Sequence, residues 1–237
     1  MGEVSDVLNR FESLGDNCEF GFVQRKHGLE AGGLLRWAIA PIEPLINALD
    51  HQFIDFYRLD ELAPSADDMV LAKRYGLYFH SSLRSKVVGG QREFVADREN
   101  REELYNTEIV KMNYLLKKLI ERLEQGSFIF VYKDNNSVSE ENSRKLYAAL
   151  KRFNNNNQLL VILADAALPP TRRIEEGLYC GYIERFAPYA CANDASYDRW
   201  LTLCTDAVAL SAEEQTARTQ LAEKRPTGRN DLPERVF

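Results

Sequence analysis

The chain has 237 residues, of which 45% are hydrophobic and 28% are charged, so a packed core is expected and disorder of the whole chain is excluded. Lysine and arginine number 30 against 36 aspartates and glutamates, and the resulting charge of −6 argues against nucleic acid as a partner. The first residues lack the basic and apolar regions of a signal peptide, and no apolar run approaches the roughly 18 residues of a membrane span. We therefore expect a cytoplasmic protein with no membrane partner.

The first quarter of the chain predicts short elements separated by turn residues. A Gly-Asp-Asn turn precedes the helical pattern that begins at Cys18, and Gly28 is suited to end that helix. The pattern predicts, in order, a strand at 11–15, a helix at 18–27, a buried strand at 34–38, a helix from Pro41 to about 49 and a strand at 53–57.

The next segment predicts a hairpin followed by a long helix. Residues 64–68 are interpreted as a loop, and Met69–Lys73 and Leu77–His80 as two strands joined at Tyr75 and Gly76. An apolar stripe then predicts a helix over 97–125, which Gly126 ends.

A strand, a helix and a second strand form the clearest unit. Ser127–Tyr132 and Leu159–Leu163 are apolar runs, and Ser139 can cap the helix between them. Such a βαβ unit places its strands parallel. With a strand at 178–186 and a helix at 197–210, the pattern predicts one α/β domain over 1–210, with a mostly parallel or mixed sheet flanked by helices. Residues 211–237 are interpreted as a polar tail or a loosely packed helix.

Cys18 is the candidate nucleophile because it lies where a turn enters a helix. Free backbone N–H groups and the helix dipole at such a position favour a thiolate, although Asp16 and Glu19 oppose one. The alternative is a structural cysteine in the core. The four cysteines contain no C-x2-C pair, so we predict neither a metal site nor a cofactor.

His80 is the candidate base for this thiol. It ends a predicted strand, where it could meet the start of the Cys18 helix, whereas His27 lies nine residues along that helix, about 13 Å away. The alternative is a histidine satisfied by backbone groups. A separation above about 6 Å between the thiol and the imidazole would exclude direct hydrogen bonding.

Three segments together resemble a known bacterial family. They are Ser13–Cys18 (Ser-Leu-Gly-Asp-Asn-Cys), Leu34–Trp37 and Tyr75–His80, and the sequence is similar to a domain family of unknown function described as papain-like cysteine peptidases. Many relatives carry Ser-x-Pro-Phe-Asp-Trp after the cysteine helix, and this chain lacks the Pro-Phe-Asp portion. The resemblance covers roughly residues 10–205 and implies that Cys18 is the nucleophile and His80 the base. It also implies a papain-like α+β fold as the alternative architecture.

The resemblance implies a third catalytic residue, and the residues themselves suggest a substrate site. Asp134 and Asn135 follow a strand end and fit the order Cys, His, Asx; Asp134 is the candidate, with Asp97 and Asp165 as alternatives. The candidate substrate-binding residues are Asn17, Arg36 and Trp37. Asn17 could hold an oxyanion or cap the helix, and Arg36 could bind a carboxylate or phosphate or pair with an internal acid.

Two functions follow from this interpretation. The first is a cysteine-dependent hydrolase or acyl transferase, a peptidase by resemblance, that acts on a small-molecule, peptide or glycan-linked substrate. The second is a non-catalytic ligand-binding module associated with bacterial surface-glycan biosynthesis. Aromatic and polar loop residues such as Tyr75 and Tyr78 favour the second function.

Overall fold

The structure, a computed structural model of the protein, describes residues 2–30 and 32–223. The α-helices in these residues are α1 (Gly2–Leu8), α2 (Glu19–Lys26), α3 (Ile42–Asp50), α4 (Arg98–Gln125), α5 (Glu140–Lys151) and α6 (Tyr197–Glu223). The strands are β1 (Phe11–Ser13), β2 (Ala38–Ile39), β3 (Leu62–Ala66), β4 (Met69–Ala72), β5 (Leu77–His80), β6 (Ser85–Val88), β7 (Gln91–Phe94), β8 (Ile129–Lys133), β9 (Gln158–Ala164), β10 (Arg172–Glu175) and β11 (Leu178–Ile183).

A mostly parallel sheet forms the centre of the molecule. Its strand order is β1-β8-β9-β11-β10, and every neighbouring pair is parallel except β10 with β11. The predicted βαβ unit is confirmed as β8, α5 and β9, and all five residues of β8 are buried, as expected for a strand covered on both faces. The chain is therefore a mixed α/β protein, as its sequence predicts.

Helices cover both faces of this sheet. Alternate residues of β8 point to opposite sides: Ile129 packs with Phe20 of α2 and Trp200 of α6, whereas Phe130 belongs to the core that contains Leu146 of α5 and Leu119 of α4. The sheet is thus the middle of three layers. The loop that carries Cys18 lies at the edge of the sheet where the parallel strands end.

A second, antiparallel sheet brings His80 towards that edge. Its order is β2-β5-β4-β3, and the predicted hairpin is confirmed as β4 and β5, in which Leu77 pairs with Ala72 and His80 pairs with Met69. Gly76 turns the hairpin with φ +69°, a conformation that favours glycine.

Three local predictions are wrong. The predicted strand at 34–38 is mostly a turn, with only Ala38 and Ile39 in β2, and the one at 53–57 is a run of turns that includes Phe53 at φ 55°. The predicted loop at 64–68 is mostly β3, which extends to Ala66. Short apolar runs do not separate strands from buried turns, and β3 is held by pairing with β4 rather than by its own propensity.

Of the two structures expected beyond residue 210, a polar tail or a loosely packed helix, the described part is a helix, because α6 continues to Glu223. Ser211 and Glu214 are buried, and the Glu214 carboxylate accepts hydrogen bonds from Gly177 N (3.0 Å) and the Tyr179 hydroxyl (2.9 Å). The rest of the predicted tail, 224–237, lies outside the described residues. No helix among the described residues is long and apolar enough to cross a bilayer.

Candidate active site

The carboxyl end of β1 places Cys18 at the open edge of the central sheet. After β1 the backbone follows β8 a little further, since Leu14 N donates to Val131 O (2.9 Å) and Asp16 N to Lys133 O (3.0 Å). Cys18 then occupies the N-cap position of α2. Ligands usually bind such sheets at the edge where the parallel strands end. Cys18 lies at this edge, in a cleft.

Cys18, His80 and Asp68 form a continuous line of contacts. The Cys18 Sγ lies 3.9 Å from His80 Nε2, and the opposite ring nitrogen, Nδ1, lies 3.0 Å from Asp68 Oδ2. The sulfur-to-nitrogen separation is below the roughly 6 Å above which direct hydrogen bonding would be excluded. Because an ionised carboxylate only accepts hydrogen bonds, Asp68 places the imidazole proton on Nδ1 and leaves Nε2 to accept from the thiol.

The structure places Asp68, not Asp134, beside His80. Asp134 follows β8 and accepts from Asn136 N (2.7 Å) and from the Tyr132 hydroxyl (3.5 Å). The other two candidates accept hydrogen bonds from nearby backbone N–H groups: Asp97 caps α4 by accepting from Asn100 N, and Asp165 accepts from Ala167 N. None of these three is the carboxylate on the imidazole.

The hairpin register is the sequence signal that points to Asp68. Once Met69–Ala72 pairs with Leu77–His80, Met69 faces His80 across the ladder, and Asp68 is the next residue beyond it. The sequence prediction considered only acidic residues that follow His80 and therefore missed Asp68. Order along the chain does not fix which acid lies beside an imidazole.

Burial opposes ionisation of the Cys18 thiol. Desolvation raises the pKa of Cys18 from 9 to about 11, although the nearby ammonium of Lys133 acts in the opposite direction. The carboxylate of Asp68 adds to the rise. Burial therefore outweighs any lowering of this pKa at the helix start, and the thiol form is favoured near pH 7.

The acidic neighbours of Cys18 point into the protein. Glu19 is fully buried: its carboxylate accepts from Trp200 Nε1 (2.8 Å) and Ala187 N (3.1 Å) and lies 3.4 Å from Lys133 Nζ. Asp16 accepts from the Tyr189 hydroxyl, and burial raises the pKa of Asp16 to about 6. Both acids thus anchor the turn around Cys18.

Asn17 caps α2 and keeps an uncommitted amide. Its Oδ1 accepts from Glu19 N (2.8 Å), which is the capping role anticipated for it. Its Nδ2 is buried and has no hydrogen-bond partner within the described parts of the chain. Asn17 itself is not among the residues that line the cleft at Cys18.

Arg36 and Trp37 have different environments despite being neighbours. Arg36 is buried, and its guanidinium donates to the carbonyls of Gly21 (3.0 Å) and Leu29 (2.6 Å), so it fastens α2 and the following loop. Burial lowers the pKa of Arg36. Trp37 is half-buried and lines the cleft next to Cys18, where it packs against Phe22 at 5.1 Å between ring centroids.

Glu108 on α4 holds the segment that follows His80. Its carboxylate accepts from the Ser81 hydroxyl (2.8 Å), the Ser82 backbone N–H (3.1 Å) and the Tyr57 hydroxyl (2.7 Å). Sequence analysis does not identify Glu108, because its role depends on α4 crossing the end of β5. These bonds fix the backbone next to the imidazole.

A cleft of about 560 Å³ opens at the Cys18–His80 pair. Its wall includes Phe22 and Trp37 on one side and Met112 of α4 on another. This size lies within the range of small-molecule sites. Within the described residues, no group of three or more His, Cys, Asp or Glu side chains is arranged to hold a metal ion.

No protein-family model, no curated protein and no solved structure matches this chain. The function of this chain is therefore inferred from the geometry of the cleft and from the chemistry of the side chains within it.

Proposed function

We propose that the protein is a cysteine-dependent hydrolase or acyl transferase. The observation that carries the proposal is the line of contacts from Cys18 through His80 to Asp68, at the wall of an open cleft. A nucleophile, a base within reach and a group that orients the base are the parts that covalent acyl transfer needs. All four cysteines are unpaired, which suits a reducing compartment such as the cytoplasm.

In the first step, Cys18 attacks a carbonyl carbon of the substrate. The thiol proton moves to His80 Nε2 as the carbon–sulfur bond forms, and the carbonyl π electrons pass to oxygen. Asp68 stabilises the resulting imidazolium through Nδ1. Since burial favours the neutral thiol before the substrate binds, His80 acts as a general base during attack rather than as part of a preformed thiolate–imidazolium ion pair.

The second step releases the leaving group. The tetrahedral oxyanion collapses, the bond from carbon to the leaving group breaks, and His80 returns its proton to that group. The donors available to the oxyanion are backbone N–H groups at the start of α2. Water, or a second acceptor, then attacks the thioester with His80 again as base, and Cys18 is regenerated.

The resemblance to papain-like peptidases favours a peptide or another amide as the acyl donor. The chemistry itself requires only an activated or positioned carbonyl, so a simple ester is the appropriate first probe. Peptidase activity is the narrower form of the proposal and needs an amide substrate for its test.

A burst experiment with p-nitrophenyl acetate tests the proposal. We expect a rapid release of p-nitrophenolate equal to the amount of protein, and an acetyl mass increment on the peptide that contains Cys18. Cys18→Ala should abolish the burst, and His80→Gln should slow it by about 10²- to 10⁴-fold. Melting temperature should change little in both variants, because neither side chain is fully buried.

The matched control is Cys191→Ala, which removes an exposed thiol without touching the Cys18–His80 pair. This variant should retain the full burst. Acetylation of Cys18 at an unchanged rate in His80→Gln would contradict the assignment of His80 as base.

A non-catalytic binding module is the second candidate, and one observation favours it. Burial raises the pKa of Cys18 to about 11, as expected for a thiol with a structural role. In that case the burst is absent, and Cys18→Ala lowers stability while a ligand in the cleft still binds. A role beside surface-glycan enzymes belongs to this second candidate.

A further inference from the structure

The walls of the Cys18 cleft carry positive charge in a protein that is acidic overall. Arg25 and Lys111 line the cleft together with His80, and the described lining includes no aspartate or glutamate. The whole chain has six more acidic than basic residues. The cleft therefore departs from the average charge of the molecule at the place where the candidate nucleophile lies.

The guanidinium of Arg25 is held in place at the cleft wall. Its central carbon lies 4.5 Å from the centroid of the Trp37 ring and 5.7 Å from that of Phe22. Its Nε and one Nη donate to the two carboxylate oxygens of Glu30 (2.8 and 3.4 Å), so an anionic ligand would have to displace Glu30, but the pair is exposed and costs little to rearrange. A stacked guanidinium is pre-organised to form a two-bond contact with a carboxylate or a phosphate.

Lys111 adds a second cation from another element. It projects from α4, is exposed, and forms no ion pair within residues 2–30 and 32–223. Its neighbours along the helix, Met112 and Leu115, supply apolar surface to the same cleft. The cleft thus combines apolar and aromatic surface with two cations contributed by α2 and α4.

We propose that the acyl substrate of this site carries an anionic group, a carboxylate or a phosphate, beside an aromatic or apolar segment. The anion lies against Arg25 and Lys111, and the apolar segment packs on Trp37 and Met112. This inference deepens the proposed function and depends on it for the reaction, but the charge preference of the cleft is a separate physical property. It follows from complementarity between a cationic wall and an anionic ligand.

The test compares alkylation of Cys18 by two probes of similar size, iodoacetate and iodoacetamide. Rates are read at pH 9 from the mass of the Cys18 peptide, and the ratio of the two rates is referred to the ratio for N-acetylcysteine in the same solution. We expect Cys18 to favour iodoacetate relative to this small thiol. Lys111→Gln should lower the ratio about two- to fivefold, and Lys111→Glu should lower it further.

The control variant is Lys117→Gln on the same helix. Lys117 is exposed and pairs with Glu121 at 3.7 Å, away from the cleft. Lys117→Gln changes the net charge by the same amount as Lys111→Gln. If both variants lower the rate ratio equally, the effect comes from the overall electric field of the protein and not from the cleft. That outcome would overturn the inference.

Protection from iodoacetamide separates the possible anions. Benzoate, phenyl phosphate, inorganic phosphate and benzyl alcohol are each tested as protectants of Cys18. We expect benzoate or phenyl phosphate to protect best, and the stronger of the two identifies the anion as a carboxylate or a phosphate. Equal protection by benzyl alcohol would overturn the requirement for charge.

Failure of the inference and failure of the proposed function give different results. If the cleft is not selective for anions, the rate ratio equals that of N-acetylcysteine in the native protein and in the Lys111 variants, while the acetyl burst persists. If the protein is not an acyl-transfer enzyme, the burst is absent while the ratio still responds to Lys111.

Discussion

At the scale of single residues, the environment of Cys18 decides its chemistry. The thiol is partly enclosed, so ionisation loses solvation that the Lys133 ammonium offsets only in part. The helix start supplies N–H groups, but Asn17 Oδ1 already occupies the one on Glu19. In the proposed mechanism the sulfur therefore depends on His80 to remove its proton.

A pH titration of Cys18 alkylation tests this electrostatic account. Because its pKa is raised from 9 to about 11, the thiolate fraction at pH 7 is smaller than that of an ordinary thiol. We expect iodoacetamide to react with Cys18 more slowly than with N-acetylcysteine near pH 7, and the rate to keep rising up to about pH 11. The measurement uses a Cys191→Ser background, which removes the exposed thiol.

A rate that reaches its plateau below pH 9 would contradict a raised pKa. It would mean that the thiolate is stabilised by His80 as an ion pair before the substrate arrives.

At the scale of elements, the site depends on two pieces of secondary structure meeting at their ends. β1 and α2 carry Cys18, and the hairpin of β4 and β5 carries Asp68 and His80. The hairpin alone sets the distance between Asp68 and His80, whereas the distance to Cys18 depends on how the second sheet packs. Glu108 of α4 stabilises that packing at Ser81 and Ser82.

Glu108→Gln tests the anchoring of β5. The amide retains a single acceptor oxygen for three donors, so at least one hydrogen bond is lost, and loss of a partly buried bond to a charged acceptor costs about 1–3 kcal/mol of unfolding free energy. We also expect a slower acetyl burst, because the imidazole is less firmly held. Denaturant unfolding and the burst rate provide the two measurements.

Glu103→Gln is the matched control on the same helix, because its carboxylate is exposed. It should leave both measurements unchanged. A Glu108→Gln protein with native stability and an unaltered burst would show that β5 is held by other contacts.

At the scale of the whole molecule, one buried ion pair joins the site to the core. Lys133 at the end of β8 and Glu19 at the start of α2 are both buried, and Trp200 of α6 donates to the same carboxylate. Burial lowers the pKa of Lys133, while Glu19 acts to raise it. The central sheet, the cysteine helix and α6 are therefore joined through the Glu19 carboxylate behind Cys18.

Glu19→Gln should destabilise the protein strongly. The substitution removes the carboxylate that pairs with the buried Lys133 ammonium and leaves only the weaker effects of Asp16 and Asp134, and breaking a buried pair in this way costs about 3–5 kcal/mol. We expect a lower midpoint in denaturant unfolding. The double variant Glu19→Gln with Lys133→Met should recover part of the loss, because it removes the unpaired charge.

Equal destabilisation in the single and double variants would contradict this account. It would assign the loss to the hydrogen bonds from Trp200 and Ala187 instead of the ion pair.

The sequence by itself determined the α/β class, the parallel β8–α5–β9 unit, the β4–β5 hairpin and the candidacy of Cys18 and His80. These features follow from local patterns, such as apolar runs, turn residues and helix caps, which act over a few residues. Only the tertiary structure decided that the Asp68–His80 pair of this hairpin reaches Cys18, that Glu19 and Arg36 serve the core, and that the Cys18 pKa rises. Each of these depends on which distant groups surround a side chain and how much water they exclude, and no local pattern encodes that.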